Sequence, residues 1–89
     1  MQPIKIKAFG HISSLLEGRQ VVLACDGPLQ VSTILEELRS RYPLFSNYLD
    51  QLREIEGNLM IGSGGLEMRL SSMVQPGEEL VLVTPISGG

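Results

Sequence analysis

Alternating apolar and polar residues near the start of the chain predict a β-strand there. From Ile4 to Phe9 the residues alternate, with Ile4, Ile6 and Ala8 on one face and Lys5 and Lys7 on the other. This period of two is that of a half-buried strand. The segment from Gly10 to Gly18 is expected to be a connector with apolar residues of its own. It leads to a second predicted strand at about Gln20 to Cys25.

The turn sequence Asp26-Gly27-Pro28 ends the second strand and precedes the clearest periodic segment of the chain. One apolar face recurs there at the spacing of an α-helix and consists of Val31, Ile34, Leu35, Leu38 and Tyr42. Glu37 and Arg41 lie four positions apart and predict a surface ion pair. Pro43 is expected to end this helix, because proline disfavours the helical conformation of the residue before it.

A shorter helix is predicted next, with its apolar positions three and four apart at Phe45, Tyr48, Leu49 and Leu52. Gly57 is the expected C-terminal cap of this helix. Three of the four aromatic residues lie between positions 42 and 48. Helical spacing explains them as side chains that hold the two helices on a sheet, which we favour over a ligand-stacking site.

The last third of the chain predicts three short strands separated by turns. A strand at Leu59 to Ile61 is followed by the glycine-rich turn Gly62-Ser63-Gly64-Gly65 and by alternating residues from Leu66 to Leu70. Pro76-Gly77 forms another turn, after which Leu80 to Val83 is a continuous apolar strand. The pattern predicts an α+β fold, with one sheet packed on one main helix. With no linker or repeat visible, residues 1–89 are expected to form a single domain.

Composition and charge exclude several classes of function. The 89 residues are 43% apolar and 19% charged, as in a compact domain, and carry a net charge of −3. An acidic chain with little aromatic content is not expected to bind nucleic acid. The longest apolar run, Val21 to Cys25, is far shorter than the roughly 20 residues that span a membrane. We therefore expect no membrane partner and a cytoplasmic location.

The single cysteine and single histidine offer little chemistry. Cys25 excludes an intrachain disulfide and a multi-cysteine metal site, and we expect no bound metal. His11 is one conceivable partner for a catalytic thiol. We favour the alternative, in which Cys25 lies in an apolar run and is a small buried residue. The sequence shows no cluster of acid and base residues that would make a catalytic site of its own.

The chain ends Thr84-Pro85-Ile86-Ser87-Gly88-Gly89, without a charged side chain after Glu79. Residues 84–89 are expected to form an extended tail, because Pro85 marks where the strand leaves the sheet. The five residues from Pro85 reach roughly 17 Å when extended. Two glycines without Cβ atoms fit a narrow channel, where the Gly89 carboxylate could be activated as an acyl adenylate. The alternative is a frayed end without a task.

The ending from Gly77 to Gly89, together with Val31 to Leu38 and the following Arg41-Tyr42-Pro43, resembles the small, sulfur-carrying subunit of molybdopterin synthase. That family has a ubiquitin-like β-grasp fold, here expected as a mixed sheet of about five strands on one main helix plus a short second helix. The resemblance covers most of the chain. The Gly88-Gly89 ending is shared by all β-grasp carriers, so it identifies the superfamily better than the pathway.

The resemblance implies that the protein is a sulfur donor without catalytic residues of its own. An ATP-dependent activating enzyme would adenylate Gly89, and a sulfur donor would convert it to a thiocarboxylate. The tail would then enter the large catalytic subunit, where sulfur passes to a cyclic pyranopterin precursor of the molybdenum cofactor. ATP would be used by the activating enzyme, and no cofactor is expected on this chain. The residues expected to contact partners are Val83, Pro85, Ile86 and Ser87.

The chain departs from the family pattern at three places, with Ser13-Ser14 where an Arg-Glu pair is usual, Ile61-Gly62 where Val-Asn is usual, and Thr84 where a first proline is usual. Two alternatives therefore stay open. One is a carrier of the same fold that serves another pathway, such as thiamine or cysteine synthesis, or a ubiquitin-like protein modifier. The other is a pure binding module with an irrelevant tail.

Overall fold

The computed structural model describes residues 2–17, 20–52, 54–55 and 58–84. Within these ranges the chain forms seven strands and three helices. In chain order they are β1 (Ile4–Phe9), α1 (His11–Leu15), β2 (Val21–Leu23), β3 (Leu29–Gln30), α2 (Val31–Arg41), α3 (Pro43–Gln51), β4 (Met60–Ser63), β5 (Leu66–Glu67), β6 (Met73–Val74) and β7 (Glu79–Val83).

Five of the strands form one mixed sheet in the order β2-β1-β7-β4-β5. β1 and β7 lie at its centre and are parallel, with a register that runs from Lys5 opposite Glu79 to Phe9 opposite Val83. The neighbouring pairs β1–β2, β4–β7 and β4–β5 are antiparallel. The short strands β3 and β6 form a separate antiparallel pair. This arrangement confirms the expected mixed sheet of five strands.

One face of the sheet and the helices share a single hydrophobic core. Ile4, Ile6, Leu80 and Leu82 on the central strands are fully buried, as are Val31, Ile34 and Leu38 of α2. The expected helical face is thereby confirmed, with Tyr42 partly buried against the core. Burial of each such aliphatic side chain stabilises the fold by about 1.5–3 kcal/mol. None of the described helices is long and apolar enough to cross a membrane.

Proline ends one helix and begins the next, which joins α2 to α3 with a single residue between them. Tyr42 has extended backbone angles, as expected for a residue before proline, and Pro43 occupies the first turn of α3. Phe45 is fully buried beneath this junction. Ion pairs connect Arg39 to Asp50 across the two helices and Glu37 to Arg41 within α2. The aromatic residues thus hold the helices on the sheet, as the helical spacing predicts.

Two helical predictions need correction. The connector expected at Gly10 to Gly18 contains the short helix α1, in which Ile12 is buried, and the C-cap residue Leu16 four positions later is buried as well. A single turn is too short to show a helical period in sequence. The second predicted helix ends at Gln51, with Leu52 as its cap, rather than near Gly57. Gly57 itself lies outside the described residues.

The strand predictions need two further corrections. β3 and β6 were not predicted, because two-residue strands contain no visible alternation. β5 is only two residues long, although alternation continues to Leu70. The chain turns after β5, where the Arg69 N–H donates to Ser72 Oγ at 2.9 Å and the Ser72 N–H donates to the Arg69 carbonyl oxygen at 3.0 Å. This turn directs the chain from the large sheet toward β6.

The glycine-rich turn between β4 and β5 is a two-residue hairpin. Gly64 and Gly65 both have positive φ, 60° and 81°, between the paired residues Ser63 and Leu66. Two central residues with positive φ define a type I′ turn, which matches the right-handed twist of the flanking strands. The internal Ser63-Gly64-Gly65, which repeats the last three letters of the chain, therefore has a purely conformational explanation.

Replacing Gly65 with alanine should destabilise the protein by about 1 kcal/mol, because a Cβ atom is disfavoured at positive φ. Gly27→Ala is the matched control, since Gly27 has no positive φ and an added Cβ would have no atom within 4 Å. Urea denaturation measures both free energies of unfolding. Equal values for the two variants would contradict the assigned turn.

Replacing Leu82 with alanine should destabilise the protein by about 2–5 kcal/mol, because its fully buried side chain would leave a cavity in the centre of the core. Leu44→Ala is the matched control, since this side chain on α3 is 62% exposed, and it should change stability by less than about 0.5 kcal/mol. Thermal and urea unfolding measure the difference. A small loss for Leu82→Ala would contradict its central place in the core.

Candidate functional site

The segment expected to form a tail follows the end of a central strand. Val83 is the last residue of β7 and pairs with Phe9 on β1 and with Met60 on β4. Thr84 follows and is the last described residue. Any segment that continues from Thr84 therefore starts at the end of a central strand, between β1 and β4, and not at an edge strand of the sheet.

Most of the predicted site residues lie beyond this point. Pro85, Ile86, Ser87, Gly88 and Gly89 are outside the described residues, so their assignment to the tail remains a prediction. Val83 is the one predicted contact residue that the structure describes, and its side chain is half-buried on the sheet face opposite the core. The structure therefore describes Val83 and Thr84, from which the predicted tail would start, and the residues around them.

A row of exposed apolar side chains crosses the sheet at the base of the tail. Strand alternation turns Phe9, Val83 and Met60 to the face opposite the core, and their pairing makes them neighbours. Phe9 is 53% exposed and Met60 is 59% exposed. We call these three residues the apolar row. Large side chains on the solvent side of a strand do not contribute to the core, and adjacent ones mark an interaction surface.

Charged residues border the apolar row on the same face. Lys5 and Lys7 lie on β1, and Glu79 opens β7. Lys7 Nζ lies 3.3 Å from Glu79 Oε2, and both side chains are nearly half exposed. Such an exposed pair contributes at most about 1 kcal/mol. The face thus consists of an apolar row at the tail end and paired charges at the opposite end.

Gly10 lies close to the side chain of Thr84, at the end of β7. Gly10 ends the parallel pairing of β1 with a φ of +72°, and a Cβ atom built there would lie 3.1 Å from Thr84 Oγ1. The Gly10 carbonyl oxygen accepts hydrogen bonds from the Ser13 N–H at 3.1 Å and from Ser13 Oγ at 2.9 Å. β1 therefore turns into α1 one residue beyond Phe9, which is the last residue of its pairing with β7.

The remaining candidate residues form no site in the described part of the chain. Cys25 is half-buried against the core, with its Sγ 3.9 Å from the Gln2 carbonyl oxygen. His11 makes an edge contact with Tyr48, at 6.1 Å between ring centroids. These contacts fit the interpretation of Cys25 as a packing residue. No group of three His, Cys, Asp or Glu side chains among the described residues could hold a metal ion.

Comparison with known proteins identifies the fold through structure and not through sequence. No family model matches the chain. No curated protein matches it significantly either. The solved structure of small archaeal modifier protein 1 from Haloferax volcanii superimposes with a TM-score of 0.80 at 23% identity, covering 98% of this chain and 99% of that one. The protein of the same name from Methanosarcina acetivorans gives 0.75 at 21% identity, covering 100% and 98%.

A third similar structure has a different description. It is a candidate molybdopterin converting factor, subunit 1, from Pyrococcus furiosus, with a TM-score of 0.75 and 13% identity over 97% of this chain and 100% of that one. At these identities the likeness concerns the fold. The chain has a ubiquitin-like β-grasp fold, as the resemblance in sequence implied, and it spans nearly the whole length of each of these proteins.

Sequence reasoning missed two members of the apolar row, although one signal was present. Phe9 lies two residues after Lys7 and four after Lys5, so strand alternation assigns all three side chains to the same polar face of β1. A large aromatic residue at such a position is a candidate contact residue. Met60 showed no comparable signal, because β4 is short and its apolar residues do not reveal which side faces the core.

Polar substitution within the apolar row should leave stability nearly unchanged. Phe9→Thr and Met60→Gln keep residues that suit an exposed strand, so each should change the free energy of unfolding by less than about 1 kcal/mol. Urea denaturation of both variants, with Leu82→Ala as the destabilised reference, measures this. A loss comparable to that of Leu82→Ala would mean that the row belongs to the core.

Proposed function

We propose that the protein is a cytoplasmic sulfur carrier whose reactive group is the carboxylate of Gly89 as the terminal residue. The observation that carries the proposal is the exposed apolar row of Phe9, Val83 and Met60 at the base of a segment that ends in Gly88-Gly89. A partner that binds this row is placed where it can also receive the tail. The five residues after Thr84 reach roughly 17 Å when extended, far enough to enter an active site in that partner.

The chemistry needs no catalytic residue on this chain. A carboxylate oxygen of Gly89 attacks the α-phosphorus of ATP on the activating enzyme, which forms an acyl adenylate and releases pyrophosphate. A hydrosulfide-level sulfur nucleophile then attacks the carbonyl carbon. A carbon–sulfur bond forms, the bond to AMP breaks, and AMP and a proton leave. Transfer of this sulfur to an acceptor, followed by hydrolysis of any acyl link, restores the carboxylate.

Within this class we propose the small subunit of molybdopterin synthase. The sequence resemblance covers the α2 segment and the chain ending, and the Pyrococcus furiosus structure of the same fold is described as a candidate molybdopterin converting factor, subunit 1. The partners would be a large catalytic subunit that binds the pyranopterin precursor, an ATP-dependent activating enzyme and a sulfur donor. Pro85, Ile86 and Ser87 would lie inside the partner's channel, between the apolar row and the reactive Gly89.

A second candidate is a ubiquitin-like protein modifier. The Haloferax volcanii and Methanosarcina acetivorans structures of the same fold are described as small archaeal modifier proteins. The first step would be the same adenylation of Gly89. The second would differ, because the amino group of a target lysine would attack the activated carbonyl and form an amide bond. Both functions use the same tail and the same surface at its base.

Intact-mass measurement tests the proposed chemistry. Incubation with the activating enzyme of the same organism, ATP and a sulfide source should replace one oxygen of the protein by one sulfur, and fragmentation should place the change at Gly89. Deletion of Gly89 should abolish the change, because the remaining tail is one residue too short to place its carboxylate. Gly27→Ala is the control and should be converted like the unmodified chain, since this turn residue has open space around it.

An unchanged mass under conditions that thiolate a known carrier would contradict the sulfur-carrier function. The next step distinguishes the small subunit of molybdopterin synthase from the protein modifier. Addition of purified large subunit and pyranopterin precursor should yield molybdopterin and return the carrier to its original mass. Formation of lysine-linked conjugates, without any thiocarboxylate intermediate, would instead identify the modifier.

A further inference from the structure

Lysine is rare in this chain and is confined to one strand. Of the seven Lys and Arg residues in the sequence, Lys5 and Lys7 are the two lysines, and the others are arginines. Both lysines lie on β1, and strand alternation directs their side chains to the face opposite the core. A lysine amine that has lost its proton is a nucleophile, whereas the arginine guanidinium stays charged. Lys5 and Lys7 are therefore the side chains able to form an amide bond with an activated carboxylate.

The two lysines differ in their surroundings. Lys7 is half-buried, and its Nζ lies 3.3 Å from Glu79 Oε2. Lys5 is exposed and has no ion pair with any residue that the structure describes. The register places Glu79 opposite Lys5, but the Glu79 carboxylate lies at Lys7 instead. The amine of Lys5 is therefore the more accessible of the two to a molecule that approaches from solvent.

A cleft beside Lys5 lies at the β2 edge of the sheet, and we call it the β2 cleft. It has a volume of about 520 Å³, and its mostly apolar walls are formed by Gln2, Pro3, Val22, Ala24, Cys25 and Asp26. Val22 is 50% exposed and is the cross-strand neighbour of Lys5, so the two side chains lie next to each other. Pro3 precedes Lys5 by two residues. An apolar surface thus adjoins a positive charge that no described residue pairs.

The predicted tail has the chemistry that this surface would bind. It has no charged side chain, and Pro85 and Ile86 are apolar residues suited to an apolar cleft. In the proposed function the tail ends in the carboxylate of Gly89, which the ammonium group of Lys5 would attract. An apolar segment that ends in a negative charge therefore matches an apolar cleft that ends at a lysine.

The tail of the same chain starts in the wrong place for this contact. β7 runs parallel to β1, with Lys5 opposite Glu79 and Phe9 opposite Val83. Lys5 therefore lies four residues, or about 13 Å, behind the end of β7. The direction of β7 at Thr84 leads away from Lys5, so the tail would have to reverse its course across the apolar row. The tail of a second copy has no such constraint.

We propose that Lys5 is a modification site, at which the tail of a second copy of this chain lies in the β2 cleft and its activated Gly89 is joined to Lys5 Nζ. The inference rests on the proposed adenylation of Gly89. The deprotonated amine attacks the carbonyl carbon of the acyl adenylate. A carbon–nitrogen bond forms, the bond from this carbon to the AMP oxygen breaks, and AMP and a proton leave. The amine takes the place of the sulfur nucleophile, so self-conjugation is expected where that nucleophile is lacking.

A reaction between two different copies tests the proposal. The donor carries Lys5→Arg and Lys7→Arg, so it has the complete tail and no lysine. The acceptor keeps both lysines and lacks Gly88 and Gly89. Incubation with the adenylating enzyme of the same organism and ATP, without sulfide, should give a product with the mass of both chains less one water. Fragmentation of this product should place the new bond at Lys5 of the acceptor.

Substitutions in the acceptor separate the contributions to this reaction. Lys5→Arg should lower the yield about tenfold or more, because the guanidinium keeps the charge but is not a nucleophile. Lys7→Arg is the matched control on the same strand and should leave the yield unchanged. Val22→Thr keeps a residue that suits a strand and replaces one methyl group of the β2 cleft. It should lower the yield about fourfold at low acceptor concentration. Unfolding curves establish that each acceptor is folded.

The outcomes distinguish this inference from the proposed function. Pyrophosphate exchange with the donor but no conjugate would overturn the inference and leave the carrier function standing. The same conclusion follows if the bond lies at Lys7 or at the amino terminus, or if Lys5→Arg or Val22→Thr leaves the yield unchanged. No exchange with the unmodified chain would overturn both. A product of the unmodified chain with the mass of one chain less one water would mean that the tail reaches Lys5 within one molecule, which would overturn the role of a second copy.

Discussion

The parallel pairing of β1 with β7 is the interaction on which the rest of the structure depends. It joins residues 5–9 to residues 79–83 at the centre of the five-stranded sheet, where β2 attaches to β1 and the β4–β5 hairpin attaches to β7. Parallel neighbours need a long crossover connection, and the helices α2 and α3 lie within it. Two backbone hydrogen bonds extend the pairing at the end where both strands begin, since the Gly77 N–H donates to the Pro3 carbonyl oxygen at 3.0 Å and the Lys5 N–H to the Glu78 carbonyl oxygen at 3.2 Å.

The two faces of this sheet differ in burial and therefore in what determines their residues. On the inner face, Ile6 and Leu82 are fully buried, so loss of side-chain volume there creates a cavity. On the outer face, exposed residues contribute little to stability, so binding can determine their identity. The apolar row lies on that face, next to Thr84 at the end of β7. Substitutions in the apolar row can therefore change what the protein binds without loss of the fold.

The elements with a long hydrophobic period could be predicted from the sequence, and those without one could not. β1 was predicted with its observed bounds, and α2 was predicted from its apolar face to its end before Pro43. α1, β3 and β6 are too short to show a period, and tertiary contacts stabilise them. One example is the Val31 N–H, which donates to the Ser72 carbonyl oxygen at 2.8 Å and connects segments that are distant in sequence.

Within the candidate site as well, only the features that depend on nearby residues could be predicted from the sequence. Gly88 and Gly89 could be singled out from the sequence because the chemistry proposed for them depends on residue type and position alone. The apolar row could not, because it brings Phe9, Met60 and Val83 together from three strands in an order set by the sheet topology. A single sequence does not contain that order.

The central pairing also determines when the molecule becomes functional during its synthesis. Because β1 finds its central partner only when residues 79–83 have been made, the first strand of the nascent chain waits for nearly all of the others. A chain interrupted before β7 lacks the middle of its sheet and the buried side chains of Leu80 and Leu82. It also lacks Val83, and with it the centre of the apolar row. The sheet and the apolar row are therefore completed together, by the same strand.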